Sequence, residues 1–219
     1  MQIAIDGPAG AGKSTVAKKV ANELNFLYID TGAMFRALTH EALRLNVNLS
    51  NGEKLSQLLK NLDIKFIPTE NGQRVLVNDT DVTEEIRSQE VTNHVAIVAA
   101  HKAVREEMLK RQRQMASKGS VVMDGRDIGT CVLKDAHLKI FLTASSEERA
   151  RRRHQELSMK GIHTDMNQLK KEIEERDKQD SERDIAPLKK AEDAIEIDST
   201  HLTIDEVVQK ILTLVKERS

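Results

Sequence analysis

The run Gly7-Pro8-Ala9-Gly10-Ala11-Gly12-Lys13-Ser14 follows the apolar residues Ile3-Ala4-Ile5 and precedes Val16, Val20 and Leu24, spaced four apart. An apolar strand, a G-x-x-x-x-G-K-S loop and a helix in direct succession commit the chain to a strand–loop–helix unit whose backbone N–H groups turn onto an anion. Glycine lets the loop close where a side chain would block the ligand. The positive end of the next helix faces the same anion. Lys13 can reach the β- and γ-phosphates of a nucleoside triphosphate, and the Ser14 hydroxyl suits Mg²⁺, with water and phosphate completing its shell. Gly7, Pro8, Ala9, Gly10, Ala11, Gly12, Lys13, Ser14 and Thr15 are the candidate triphosphate-binding residues.

Beyond the loop the chain alternates between two periods. Phe26–Asp30 reads as a buried parallel strand, and Thr31-Gly32 opens a helix with Met34, Leu38, Ala42 and Leu45 on one face. Strand and helix in this order indicate a parallel sheet covered on both sides. The rhythm breaks at Ile64–Ile67 and Arg74–Val77, two strand-like pieces around the turn signal Asn71-Gly72, which predict a small inserted hairpin. Charged helices are expected over roughly Glu84–Ala99 and Lys102–Ser117. Val121–Met123 and Leu138–Leu142 restore the sheet. A capping box at Ser145–Glu148 starts a helix that Lys160-Gly161 ends, and Asp165 starts another. Ala194–Ile197 is the last predicted strand. A second capping box, Thr203–Glu206, opens a helix that docks through Val207, Val208, Ile211, Leu214 and Val215.

A chain of 219 residues, 39% hydrophobic and 32% charged, forms one well-buried core with a polar surface. No apolar run reaches the length of a membrane span, and the loop begins too early to leave room for a signal peptide, so the expected location is the cytoplasm. One cysteine, Cys131, excludes an internal disulfide, and its apolar neighbours predict a packed core thiol. The seven histidines show no ligand spacing; His94, His101 and His154 are expected at the surface. The net charge of −1 offers no general attraction to nucleic acid or membrane. The positive charge is local instead, around Arg105, Lys110, Arg111 and Arg113 and at Arg149, Arg151, Arg152 and Arg153. That pattern suits a small anionic ligand, and the chain is expected to act as a monomer on small molecules.

The loop alone does not choose a reaction. The Asn-Lys-x-Asp signature of GTPases is missing from the sequence. Ser120-Val121-Val122-Met123-Asp124 is close to a run of four apolar residues ending in an acid, and it leads directly into Gly125-Arg126-Asp127-Ile128-Gly129-Thr130. Asp30, Thr31 and Arg36 occupy the corresponding place after the second strand. Ligands of open α/β sheets bind outside the carboxyl ends of the strands, so both clusters are expected to flank the loop.

Three motifs carry a specific resemblance: Asp-Thr-Gly-Ala-Met-Phe-Arg (30–36), Asp-Gly-Arg-Asp-Ile-Gly-Thr (124–130), and Arg176-Asp177 with Asp180, Arg183 and Ala186-Pro187-Leu188. Across essentially its whole length the chain resembles the bacterial cytidylate kinases. The resemblance implies transfer of the γ-phosphoryl group of ATP to CMP or dCMP, with Mg²⁺. It implies a three-layer α/β/α fold on a five-stranded parallel sheet, comprising core segments 1–60, 118–150 and 190–219, a monophosphate-binding insert at about 61–100 and a helical lid at about 151–186. It places Lys13, Arg126, Arg36 and the lid residue Arg151 in the catalytic set. Arg36 and Arg126 hold the acceptor phosphate; Asp127 and Arg105, with Arg183 nearby, read cytosine; Arg176 and Asp180 read the sugar; Thr31 and Asp124 complete the substrate set. The chain departs from the family at Ala96, where a serine often contributes to base recognition, and at Phe35, where tyrosine is frequent.

Plainer roles compete at several of these positions. Asp30 suits a helix cap, Arg126 with Asp127 a salt bridge in a turn, and Arg105 an exposed helix face. Arg176 with Asp180 fits an intrahelical pair. Glu147, Glu148 and Glu156 are in range of the arginines at 149–153. The competing enzyme is a phosphate-loop kinase of a small hydroxyl-bearing metabolite, with Asp30 as its base. A nucleotide-gated RNA-binding protein is the third reading, but it lacks aromatic stacking residues.

Overall fold

Short apolar runs rich in Ile, Val and Leu build the central sheet of the computed structural model, which describes residues 1–69, 72–159 and 161–218. Strands β1 (Gln2–Asp6), β2 (Leu27–Asp30), β6 (Val121–Gly125), β7 (Leu138–Thr143) and β8 (Ile195–Asp198) form a parallel sheet in the order β2-β6-β1-β7-β8. Between β2 and β6 come α2 (Thr31–Arg44), α3 (Gly52–Asn61), β3 (Ile64–Thr69), β4 (Gly72–Val77), β5 (Thr80–Asp81), α4 (Gln89–Ala100) and α5 (Lys102–Ala116). The helix α1 (Lys13–Leu24) follows β1, and α6 (Ser146–Met159), α7 (Met166–Glu182) and α8 (Ile204–Glu217) follow β7 and β8. The expected five-stranded parallel α/β architecture is present.

The chain separates into two compact units, one of residues 1–28 and 119–219, the other of residues 29–118. In the first, β1 lies between β6 and β7, with Ile3 opposite Val122 and Leu138, and Ile5 opposite Asp124 and Ile140. Val16, Ala17 and Val20 of α1 and Val207, Val208, Ile211 and Val215 of α8 cover these strands in one apolar cluster, with Leu214 partly buried against it. Thr203 and Glu206 form the complete capping box expected there. In the second unit, β3 and β4 pair antiparallel from Ile64–Val77 to Thr69–Gly72, and β5 adds a short third strand. Helices α2 and α3 therefore group by packing with the hairpin rather than with the sheet.

Several boundaries differ from expectation for local reasons. Helix α1 ends on Asn25, whose φ of 55° lets Phe26 N–H return to the Ala21 carbonyl, so β2 starts one residue later than predicted. Leu45 is the C-cap of α2 and 47% exposed, not part of its buried face. The helix predicted from Glu84 is a 3₁₀ turn, Glu85–Arg87, followed by α4, because the Ser88 hydroxyl caps Val91 N–H. Helix α3, absent from the predicted elements, starts at the cap Asn51. The box at Ser145 is half made: Glu148 N–H donates to Ser145 Oγ, while Ser145 N–H turns to Thr200 Oγ1 and the Glu148 carboxylate takes arginines. Asn71 of the hairpin turn and Lys160 of the expected helix end lie outside the described residues; Gly161 beside it has φ 74°.

Candidate active site

Strand β1 delivers the phosphate loop against β7. Gly7 has φ 148°, and a Cβ there would stand 1.9 Å from the Leu142 carbonyl oxygen, so only glycine lets the two backbones pass. Gly12 caps α1 at φ 85° without a side-chain bond, leaving the first-turn N–H groups directed outward. Lys13 is buried and its Nζ donates to the Pro8 carbonyl at 2.7 Å. Burial first, then the nearby Arg126 charge, pushes its ammonium down to about 7.

Asp124 meets this loop from β6. Its Oδ2 accepts from Ser14 Oγ at 2.8 Å, and its Oδ1 accepts from the Tyr28 hydroxyl at 2.9 Å. A serine hydroxyl whose proton is taken up by a carboxylate turns its lone pairs outward. That hard-oxygen pair fits Mg²⁺, which keeps several waters and takes few protein ligands. Among the described residues no group of three or more His, Cys, Asp or Glu forms a denser metal cage.

Past Gly125, the chain enters a π-helical turn, Ile128–Val132, in which Val132 N–H reaches back to the Asp127 carbonyl. Asp6, which sequence reasoning passed over, anchors this turn by accepting Ile128 and Gly129 N–H at 2.8 and 2.7 Å. Burial raises its carboxyl to about 6, against the two N–H groups that favour its charged form. Its position at the last residue of β1, immediately before Gly7, was the available signal. Cys131 is half-buried in the turn beside the Thr130 hydroxyl, not a core thiol, because the π turn lifts it off the sheet.

Helix α7 supplies the facing charges. Arg126 Nε donates to Asp180 Oδ2 at 2.8 Å, Arg183 lies 3.6 Å from Asp180 Oδ1, and Arg183 donates to Asp127 Oδ1 at 3.4 Å. Burial works to raise Asp180, but Arg126, Arg176 and Arg183 outweigh it and hold the carboxyl below its ordinary value. Burial, then Arg126, lowers the Arg176 guanidinium. The structure thus brings together Lys13, Arg126, Asp127, Arg176, Asp180 and Arg183, and Asp180 pairs with Arg126 and Arg183 rather than with its helical neighbour Arg176.

The four arginines of α6 differ sharply. Arg149 is buried, donating to Ala144 and Ala9 carbonyls and pairing with Asp177 at 2.6 Å. Arg152 binds Glu148 and both oxygens of Ser199. Arg151 is 53% exposed and held by Glu148, and Arg153 pairs with Glu156.

The unit of residues 29–118 carries the remaining candidates. Asp30 Oδ1 caps α2 through Ala33 N–H, the capping role anticipated for it, and Thr31 begins the helix buried. Arg36 donates to the Ile86 carbonyl and Thr92 Oγ1. Arg105 is buried, not on an exposed face, donating to the Ala99 carbonyl with its Cζ 5.4 Å above the Phe35 ring. The hydroxyl absent at Phe35 thus leaves a stacking surface intact, and Ala96 is half-buried on α4. The histidines expected at the surface are half-buried and bonded: His94 to the Glu90 carbonyl, His101 to the Leu49 carbonyl, His154 to Thr164.

A parallel five-stranded sheet, a glycine loop closing on a helix and an acid on the adjacent strand define a phosphate-loop α/β protein. A solved shikimate kinase from Bacteroides thetaiotaomicron, 15% identical, shares this fold with a TM-score of 0.50 over 99% of this chain and 98% of its own. An uncharacterized protein from Eubacterium ventriosum ATCC 27560, 17% identical, does so with a TM-score of 0.54 over 100% and 99%. The cytidylate kinase family model matches residues 3–217. A protein named cytidylate kinase from Bacillus subtilis (strain 168) is 59% identical over 219 residues, covering 100% of this chain and 98% of the relative. Its counterpart from Bacillus cereus (strain B4264) is 59% identical over 215 residues, covering 98% and 96%. The chain belongs to the cytidylate kinase family.

Proposed function

We propose that the chain transfers the γ-phosphoryl group of ATP to CMP or dCMP, giving ADP and CDP or dCDP. Membership of the cytidylate kinase family over residues 3–217 carries this reading. An oxygen of the acceptor phosphate forms the new bond to the γ-phosphorus while the β–γ bridging bond breaks and its electron pair leaves with ADP. The acceptor's second pKa is about 6, so it arrives largely as a dianion and needs no general base. The protein's task is to bring two anions into line and neutralise them.

Residues Gly7–Thr15 bind the triphosphate, all but Pro8 offering a backbone N–H, and Lys13 exchanges the Pro8 carbonyl for a phosphate oxygen. Ser14 and Asp124 would hold Mg²⁺, which would neutralise phosphate charge. Arg126 and Arg36 grip the acceptor phosphate bidentately. As Arg126 turns to phosphate, Asp180 is released toward the sugar, which it holds with Arg176; Thr31 belongs to the same substrate set. Asp127 accepts from the exocyclic amine of cytosine, while Arg105 and Arg183 donate to the ring. Uracil presents a carbonyl to Asp127, so oxygen lone pairs face each other where cytosine donates a hydrogen bond. Arg151 and its neighbours on α6 form the arginine face of a lid over ATP. The competing hydroxyl-acceptor reading has no support at Asp30, whose carboxylate caps α2. The enzyme acts as a cytoplasmic monomer on small molecules and does not bind nucleic acid; among the described residues no helix is long and apolar enough to cross a membrane.

A coupled ADP-release assay over AMP, GMP, UMP, CMP and dCMP tests this. Turnover is expected with CMP and dCMP and to be at least about fivefold weaker with UMP, the lower end of about 1–3 kcal/mol for a mismatched polar group. Equal turnover of UMP removes the cytosine reading, and no turnover with any monophosphate removes the kinase reading.

A further inference from the structure

The contact between Tyr28 and Asp124 joins residues 96 positions apart, and none of the motifs predicts it. Tyr28 is the second residue of β2 and is 9% exposed; its hydroxyl ends at Asp124 Oδ1, and that carboxylate is itself 3% exposed. If the site required only volume, phenylalanine would fill it, as Phe35 does on α2. A buried phenol needs a hydrogen-bond partner, and an ionised carboxylate makes the stronger kind of bond.

The geometry explains what the bond does. The final torsion of an aspartate is soft, so one hydrogen bond leaves the carboxylate plane free to swing. Asp124 has a donor on each oxygen, Ser14 on Oδ2 and Tyr28 on Oδ1. Together they fix the plane. The same plane aims Oδ2 at the Ser14 proton and so directs the Ser14 lone pairs outward. We infer that Tyr28 is a positioning residue that orients Asp124, and through it Ser14, for the metal complex of the nucleotide. The inference rests on the reading above that Ser14 and Asp124 serve Mg²⁺.

The chain also supplies a reporter. Tyr28 is its one tyrosine and there is no tryptophan, so near-ultraviolet emission comes chiefly from this phenol. A carboxylate acceptor quenches phenol emission by drawing on its proton in the excited state, and a cation near the carboxylate weakens that draw.

The test is calorimetric binding of ATP without any acceptor, in EDTA and in Mg²⁺, to the wild-type chain and to Tyr28→Phe. The expected result is a Mg²⁺-dependent gain in ATP affinity that Tyr28→Phe lowers about tenfold, as for other groups that orient metal ligands, with affinity in EDTA unchanged. A wild-type chain without a Mg²⁺ gain overturns both the metal reading and this inference. A gain of equal size in Tyr28→Phe overturns the inference alone. Wild-type emission provides the second measurement, decisive even if Tyr28→Phe does not fold. Adding Mg²⁺ to the ATP complex is expected to raise it, and unchanged emission overturns the role of Tyr28.

Discussion

The phosphate loop and the charged cluster between β6 and α7 both serve anions in the proposed reaction, but they are built by opposite means. In the loop the main chain sets the shape: Gly7 passes the Leu142 carbonyl at a distance no side chain tolerates, and Lys13 rests on a neutral carbonyl. In the cluster, side-chain charges cancel one another, Asp180 against Arg126 and Arg183, and Asp127 against Arg183. A backbone site presents the same donors whether or not a ligand is there. A charge cluster is held together by its own carboxylates and has to exchange partners when a phosphate arrives. In the proposed reaction the triphosphate would therefore meet a fixed mould and the acceptor a replaceable network.

Breaking the mould should have the largest effect. Gly7→Ala forces β1 and β7 apart at Leu142 and is expected to lower stability by about 3 kcal/mol, the upper end for overpacking, and to abolish ATP binding. Thermal unfolding and nucleotide titration check both. Asp6 sharpens the comparison, because it is a side chain used to hold backbone. Its folded pKa of about 6 lies above the ordinary 3.8, so the folded protein keeps a proton that the unfolded chain releases between about pH 4 and 6. Stability should fall as pH rises through that window, by about 3 kcal/mol at about 1.4 kcal/mol per pH unit. Denaturant unfolding of Asp6→Asn should lose that slope.

Breaking the network should have a smaller effect. Asp180→Asn removes the carboxylate charge that Arg126, Arg176 and Arg183 share and is expected to cost about 2 kcal/mol, less than a fully enclosed pair because Arg126 retains some solvent. The KM for CMP should rise while ATP affinity in the absence of CMP stays constant; equal changes in both would erase the distinction between mould and network. Arg151→Ala stands at the small end. Its exposed pair with Glu148 should leave the unfolding temperature unchanged while turnover falls, whereas Arg149→Ala, which removes the tether to Ala9 and Asp177, should lower the unfolding temperature.

Local signals made much of the fold readable in the chain. The glycine loop, the capping box at Thr203, the caps Asp30 and Asp165 and the alternating strand runs each act within a few residues of themselves. What escaped depends on register or on distant partners. Asp6 gains its role because β1 sits beside β6, which brings Ile128 and Gly129 to its carboxylate. Tyr28 looks like one more apolar strand residue until β6 supplies Asp124. Glu148 fits a capping box by spacing, yet two arginines compete for its carboxylate and win. Arg105 reads as a solvated charge on its own helix, and the Phe35 ring and the Ala99 carbonyl against which it is buried do not show in that helix's pattern.

One feature of the sheet bears on how the chain emerges from the ribosome. β1 lies between β6 and β7, so its first partner, Val121–Gly125, is synthesised more than a hundred residues after it. At about 5–20 residues per second this is a delay on the order of ten seconds, during which residues 29–118 are completed as a continuous stretch able to collapse on itself. Strand β1 thus precedes both of its sheet neighbours in synthesis, and Ile3-Ala4-Ile5 stays without one until translation has passed Val121–Gly125.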